Sequence, residues 1–182
     1  GGRTLILCSS WRAVDKAAEY LRVRCDTPVH VQKKGESVSL LVERFAADRE
    51  STLIGTLSLW QGVDIPGDYC IQVIIDRIPF PRPDDPVMSA RSARVDESGG
   101  SGFRSVTLPR AGLLLAQASG RLIRTGTDKG VVSVLDSRLA NSGYGTSLRK
   151  SMPPMWFTTD RTTAMSSLQR LRGESEEREG QG

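Results

Sequence analysis

Short apolar runs alternate along this chain with segments in which apolar residues recur every three or four positions. Five short runs, bounded by turn residues, predict strands at residues 4–8, 29–32, 52–56, 71–75 and 131–136. Helical periodicity predicts helices at residues 12–24, 38–49, 86–95, 108–124, 147–151 and 160–172. This alternation indicates an α/β fold, with a parallel sheet flanked by helices on both faces.

The stretches between these elements are polar or rich in glycine, serine and proline. They predict loops at residues 58–68, 77–85 and 96–102, and residues 173–182 predict a disordered acidic tail beyond a single domain at residues 1–172. Ligands of parallel sheets bind beyond the carboxyl ends of the strands. We therefore expect the functional residues in the loops that begin at Ser9, Leu57, Asp76 and Asp136.

Charge favours a polyanionic partner only weakly. The chain has 25 basic and 21 acidic residues, a formal charge of +4, and four of the acids lie in residues 173–182 with one base. Residues 1–172 therefore carry 24 basic and 17 acidic side chains. That balance suits a nucleic acid, although many soluble domains are as basic.

Three scattered cysteines and a single histidine exclude several kinds of site. Cys8, Cys25 and Cys70 form no paired motif, so a zinc site or an iron–sulfur cluster made by this chain alone is not expected. His30 has no hydrolase motif around it. We expect buried thiols in a reducing compartment, and the absence of a long apolar run predicts a cytoplasmic protein with no membrane partner.

Residues 117–124 contain the most suggestive polar pattern. Gln117 and Gly120 precede Arg121 and Arg124, which are three positions apart in a predicted helix and would share one side of it. Two guanidinium groups on one side suit a triphosphate, and Gly120 leaves room for a ligand. An ordinary surface pair bridging to acids is the alternative on spacing alone.

Four motifs in order resemble the second motor domain of the DinG/XPD group of superfamily 2 helicases. Residues 5–11 resemble motif IV, residues 62–67 (GVDIPG) resemble motif V, and residues 78–86 resemble the segment that follows it in DinG-like proteins. The pattern Gln117-x-x-Gly120-Arg121-x-x-Arg124 resembles motif VI. The order and spacing agree across about residues 3–140.

The resemblance implies a RecA-like fold of the P-loop NTPase type and an ATP-dependent DNA helicase, a class that includes DNA-repair enzymes. It implies that Arg124 is an arginine finger facing the ATP γ-phosphate, with Arg121 and Gln117 beside it as catalytic residues. Asp64, Gly62 and Gly120 would lie at the nucleotide. For Asp64, a turn residue bonded to its own backbone is the alternative.

The same resemblance implies part of a path for single-stranded DNA. The candidate contacts are small hydroxyls for phosphates and tryptophans for stacking: Ser9, Ser10, Trp11, Thr56, Ser58 and Trp60. For the two tryptophans, packing in the core is the alternative.

The chain departs from a complete helicase because it has no Gly-x-x-x-x-Gly-Lys-Ser/Thr loop and no acidic magnesium motif. We expect ATP and Mg²⁺ to be bound mainly by an N-terminal motor domain of the same protein, and any iron–sulfur cluster to lie in that missing part. Alone, the chain is expected to be inactive. A non-catalytic RecA-like module that binds single-stranded nucleic acid or a protein partner is the alternative.

Overall fold

The structure, a computed structural model, describes residues 2–60, 70–120, 122 and 129–179, with the side chains of residues 60 and 175–179 left out. Within these ranges the strands are β1 (Thr4–Cys8), β2 (Val29–Val31), β3 (Thr52–Thr56), β4 (Gln72–Ile75) and β5 (Val131–Val134). They form one parallel sheet in the order β2-β3-β1-β4-β5. The predicted parallel α/β sheet is confirmed.

The helices between the strands follow the predicted order. In the described ranges they are α1 (Trp11–Arg22), α2 (Val38–Ala47), α3 (Pro86–Glu97), α4 (Leu108–Gly120), α5 (Arg138–Asn141), α6 (Gly145–Ser151) and α7 (Arg161–Glu179). A 3₁₀ turn, Leu57–Trp60, follows β3, and a π-helical turn, Phe103–Thr107, leads into α4. None of these helices combines the length and apolar character needed to cross a bilayer.

Alternate residues of the central strands bury opposite faces of the sheet. On one face, Cys8 and Ile54 pack against Val14 and Ala18 of α1. The other face carries the larger core, in which strand residues meet α2, α4, α5 and α6 through Leu5, Leu7, Leu53, Phe45, Leu115, Leu139 and Leu148. All five residues of β3 are buried because the strand is covered on both faces.

Two predicted loops contain more helix than expected. The loop predicted at residues 96–102 is short, because α3 continues to Glu97 and Gly102 already begins the next helical segment. The Asp96 carboxylate closes the gap by accepting from the Gly102 N–H at 2.8 Å. After β5, the predicted turn contains α5, which starts where the Asp136 carboxylate accepts from the Arg138 N–H at 3.1 Å.

Several element boundaries also differ from the predictions. Strand β5 ends at Val134 rather than at residue 136, and α6 begins at Gly145 rather than at residue 147. The last helix is capped by Asp160, whose carboxylate accepts from the Thr162 and Thr163 N–H groups. That helix continues to Glu179, past its predicted end at residue 172. The division into a domain and an acidic tail stays a prediction.

Candidate functional site

The carboxyl ends of the parallel strands meet at one edge of the sheet. Cys8 of β1 is level with Thr56 of β3, and Leu7 is level with Ile75 of β4. The loops that follow the strands therefore emerge side by side, as the sequence predicted. Across the sheet, in the order β2-β3-β1-β4-β5, the loops begin with Gln32, Leu57, Ser9, Asp76 and Leu135.

Asp76 holds the turn that follows β1. Its carboxylate accepts from the Ser9 N–H at 2.9 Å and from the Ser9 hydroxyl at 2.8 Å. Ser9 would have to release Asp76 before either group could donate to a phosphate. Burial, reinforced by the charge of Asp76, raises the pKa of the neighbouring Cys8 thiol to about 11, so that thiol is protonated at neutral pH.

Ser10 and Trp11 start helix α1 at this edge. The Ser10 Oγ accepts from the Ala13 N–H at 3.2 Å, which makes Ser10 the N-cap. A cap uses a lone pair of the hydroxyl, so its hydrogen can still be donated to an anion. The first turn of α1 has no acidic residue, and the positive end of the helix dipole lies here.

Gln32 joins the ends of β2 and β3. This side chain is buried, and its Oε1 accepts from the Thr56 N–H at 2.9 Å and from the Thr56 hydroxyl at 3.2 Å. The Thr56 hydroxyl also lies 2.6 Å from the hydroxyl of Ser58, which is exposed. Thr56 is thus engaged within the protein, whereas Ser58 faces outward.

Asp136, two residues after the end of β5, is a second carboxylate that joins two segments of the chain. It accepts from the Ile78 N–H at 3.1 Å and from the Arg138 guanidinium at 2.9 Å (Nε) and 2.7 Å (Nη2). Hydrogen bonding to Arg138 lowers the pKa of Asp136 to about 2, although burial opposes the shift. Arg138 also lies over the Phe80 ring, which belongs to an aromatic cluster with Phe103 and Tyr144.

Helix α4 carries Gln117 and Gly120, the first residues of the predicted motif VI. Gln117 is exposed, and a Cβ added at Gly120 would have no atom of the described residues within 4 Å, so both positions are accessible with respect to that part of the chain. Gly112 lets α4 approach α6 closely, because a Cβ there would lie 2.6 Å from the Ser151 Oγ. Leu122 lies just beyond α4, between the two motif VI arginines in the sequence, and its side chain is buried in the main core.

The family is shown by a match over most of the chain. Residues 1–155 match the helicase C-terminal domain family. The chain belongs to this family. The matched range contains all four motifs on which the resemblance to DinG/XPD helicases rested, and that resemblance is confirmed.

Named relatives agree with this assignment. This chain is 57% identical over 171 residues to the ATP-dependent helicase DinG of Mycobacterium tuberculosis (strain ATCC 25618 / H37Rv). The match covers 94% of this chain and 26% of the relative. The chain is 39% identical over 169 residues to the ATP-dependent DNA helicase YoaA of Haemophilus influenzae, covering 92% of this chain and 26% of the relative. The chain thus spans about a quarter of the length of these relatives.

Solved structures support the fold of the helicase C-terminal domain. XPD_Helicase matches with a TM-score of 0.61 at 23% identity, over 84% of this chain and 28% of that chain. XPD_APO matches with a TM-score of 0.63 at 24% identity, over 82% and 31%. The predicted RecA-like fold is confirmed.

Several predicted site residues of the helicase C-terminal domain lie outside the described residues. These are Arg121 and Arg124 of motif VI, Gly62 and Asp64 of motif V, and the side chain of Trp60. Their roles stay predictions. The described candidates are distributed over the carboxyl edge, at Ser9, Ser10, Trp11, Thr56 and Ser58, and over α4, at Gln117 and Gly120.

The side chains that organise the edge were not among the predicted site residues. Gln32, Asp76 and Asp136 each accept at least two hydrogen bonds, Gln32 from the end of β3 and the two carboxylates from loop residues or the start of α5. The signal that could have found them is simple. Each is a polar residue that follows an apolar strand by one or two positions.

The three cysteines have different environments. Cys8 and Cys70 are buried as predicted, but Cys25 is partly exposed, because it lies just after α1 rather than on a core strand. Burial raises the pKa of the Cys70 thiol to about 12. In the described part of the chain, His, Cys, Asp and Glu side chains form no group of three or more that could hold a metal ion.

Proposed function

We propose that this chain is the C-terminal motor domain of an ATP-dependent DNA helicase. The observation that carries the proposal is 57% identity, over 94% of the chain, to a protein named ATP-dependent helicase DinG. In this role the domain closes over ATP and Mg²⁺ that are held mainly by an N-terminal motor domain of the same protein. It also forms part of the path for single-stranded DNA.

The nucleotide side of the proposed site contains motifs V and VI. Arg124 acts as an arginine finger, and Arg121 supports it, because guanidinium groups stabilise the negative charge that spreads over the transferred phosphoryl group. Gln117, exposed on α4, orients groups around the γ-phosphate. Gly120 and Gly62 allow close approach, and Asp64 contacts the ribose or links motif V to motif VI.

The DNA side of the proposed site is the carboxyl edge around α1 and β3. Ser10, with its hydroxyl hydrogen available at the positive end of α1, is suited to a phosphate oxygen. Ser58 is a second exposed hydroxyl, two residues after the engaged Thr56. Ser9 contributes once its bonds to Asp76 open, while Trp11 and Trp60 stack on bases.

The arginine finger is tested by Arg124→Ala in the full-length parent protein. ATP turnover should fall by about 10³-fold or more, since arginine fingers contribute on that scale. Single-strand binding, measured by fluorescence anisotropy without nucleotide, should stay close to wild type. The matched control is Arg110→Ala, which removes an exposed arginine from α4 and should leave turnover unchanged.

Two results would count against this assignment. Turnover near the wild-type rate in the Arg124→Ala variant would refute the arginine finger. A parent protein that binds single-stranded DNA but hydrolyses no ATP would favour the alternative, a RecA-like module that only binds.

A further inference from the structure

A lysine after β2 reaches the start of helix α1. The Lys34 Nζ lies 5.9 Å from the centroid of the Trp11 ring, within the range of a cation–π contact. Lys34 is exposed and Trp11 is half-buried. Trp11 is the first residue of α1, directly after the N-cap Ser10, so the contact links the lysine to the first residue of this helix.

The base of Lys34 is held by a tight turn. Gln32, two residues earlier, is buried and bonded to Thr56 of the next strand. The Lys33 N–H donates to the Glu36 carboxylate at 3.3 Å, and Gly35 adopts φ +80°, a conformation that favours glycine. The end of β2 therefore fixes the backbone position of Lys34, and the ring of Trp11 contacts its ammonium group.

The surroundings of Lys34 suit an anion. Among the described residues, its ammonium contacts a ring and no carboxylate, so its charge is attracted but not neutralised there. Arg12 and Lys33 are exposed nearby in sequence, and the first turn of α1 has no acid. Glu36, the acid closest in sequence, accepts from the Lys33 N–H and pairs with Arg44 at 3.6 Å.

From this geometry we infer that Lys34 binds a phosphate of single-stranded DNA, with the ring of Trp11, the first residue of α1, positioning its ammonium. The inference rests on the proposed function and extends the DNA path from β1 across β3 to the edge strand β2. It also gives Trp11 a specific role. Its ring positions the lysine.

The test is a salt series of single-strand binding by the full-length parent protein, with an unstructured oligonucleotide as the probe. Each phosphate neutralised by a protein cation contributes about 0.7 to the slope of log affinity against log salt for single strands. Lys34→Gln should reduce the slope by about 0.7. Its affinity should then fall about threefold less than that of wild type between about 50 mM and about 200 mM salt. Lys34→Arg should keep the wild-type slope.

The matched control is Lys16→Gln. Lys16 is exposed on α1, five residues after Trp11, so the control removes the same charge as Lys34→Gln but from the helix that contains Trp11. Its slope should equal that of wild type. A similar reduction in both variants would mean that net charge alone is being measured, and would overturn the assignment of Lys34.

The role of Trp11 is tested by combining Trp11→Leu with Lys34→Gln. If the ring positions the ammonium, Lys34→Gln should weaken binding less in the Trp11→Leu background than in wild type. Strict additivity would overturn the positioning role. An unchanged slope in Lys34→Gln, with normal wild-type binding, refutes only this inference, whereas a wild-type parent that binds no single-stranded DNA refutes the proposed function as well.

Discussion

At the scale of single residues, a few carboxylates and one amide connect loops that are distant in sequence. Asp136 is the best example, because it is 6% exposed and binds the Ile78 N–H, the Arg138 N–H and the Arg138 guanidinium at once. The Pro-rich segment after β4 and the start of α5 are thereby held together. A charged residue can be buried here because all its partners are donors.

Asp136 should make stability depend on pH. Its folded-state pKa, about 2, lies below the ordinary value of 3.8, so its stabilising effect is present above the ordinary value and is lost as pH falls towards 2. Asp136→Asn should lower the free energy of unfolding by about 1–3 kcal/mol at neutral pH, because the charge-assisted bonds of the buried carboxylate to the Ile78 N–H and the Arg138 guanidinium are lost. Urea unfolding from pH 7 down to pH 2 should show the difference from wild type shrinking with acid.

The control for Asp136 is Asp84→Asn. Asp84 pairs with Arg82 on the surface, where both side chains are largely exposed, and such pairs contribute little. Its unfolding curve should stay close to that of wild type. A constant difference between wild type and Asp136→Asn across the whole pH range would contradict the assigned ionisation.

At the scale of elements, helix α1 combines a structural and a proposed functional task at its first turn. Ser10 caps the helix, and the same hydroxyl is a proposed phosphate contact. Helix α4 has a comparable arrangement, since Gly112 and Leu122 set its packing while Gln117 and Gly120 stay accessible. In α1 one side chain thus has both tasks, whereas in α4 the packing residues and the accessible residues are different ones.

The two tasks of Ser10 can be separated by comparing alanine with glycine. Ser10→Ala should lower the free energy of unfolding by about 1 kcal/mol, whereas Ser10→Gly should lower it by only a few tenths, because glycine is tolerated at N-caps. Both variants lack the hydroxyl, so both should weaken single-strand binding by the parent protein to a similar extent. Chemical unfolding and anisotropy measure the two effects. Wild-type binding by Ser10→Gly would remove Ser10 from the DNA path.

At the scale of the whole molecule, the proposed nucleotide site is only partly contained in this chain. The sequence has arginines suited to a γ-phosphate but no phosphate-binding loop and no acidic magnesium motif. Positioning and metal-assisted charge stabilisation account for most of phosphoryl-transfer catalysis, and both are expected to come from the other motor domain.

The isolated chain should therefore show negligible ATP hydrolysis, with or without single-stranded DNA. The measurement is phosphate release at saturating ATP and Mg²⁺, and the full-length parent protein serves as the positive control. Robust DNA-stimulated hydrolysis by the isolated chain would show that it holds a complete site.

The sequence predicted the strands and the main helices well because their signals are local. Alternating and helical apolar patterns place β1, β3 and α1 within two residues of their observed bounds. Two of the errors lie where a side chain competes with regular backbone structure. Asp136 is the last residue of a predicted strand, but in the structure its carboxylate accepts from the Arg138 N–H at the start of α5. Asp96 shortens a predicted loop by accepting from the Gly102 N–H. Neither effect is visible in the apolar periodicity of the sequence.

The amino-acid sequence by itself determined the α/β class, the order of elements and the motifs that identify the family. The tertiary structure decided which residues meet at the carboxyl edge. Ser9 and Asp76 are 67 positions apart, and Gln32 and Thr56 are 24 apart. Lys34 follows β2 and Trp11 follows β1, and the two residues meet although β2 and β1 are not neighbours in the sheet. Such contacts depend on the strand order β2-β3-β1-β4-β5, which is set by packing across the whole sheet and not by any local pattern.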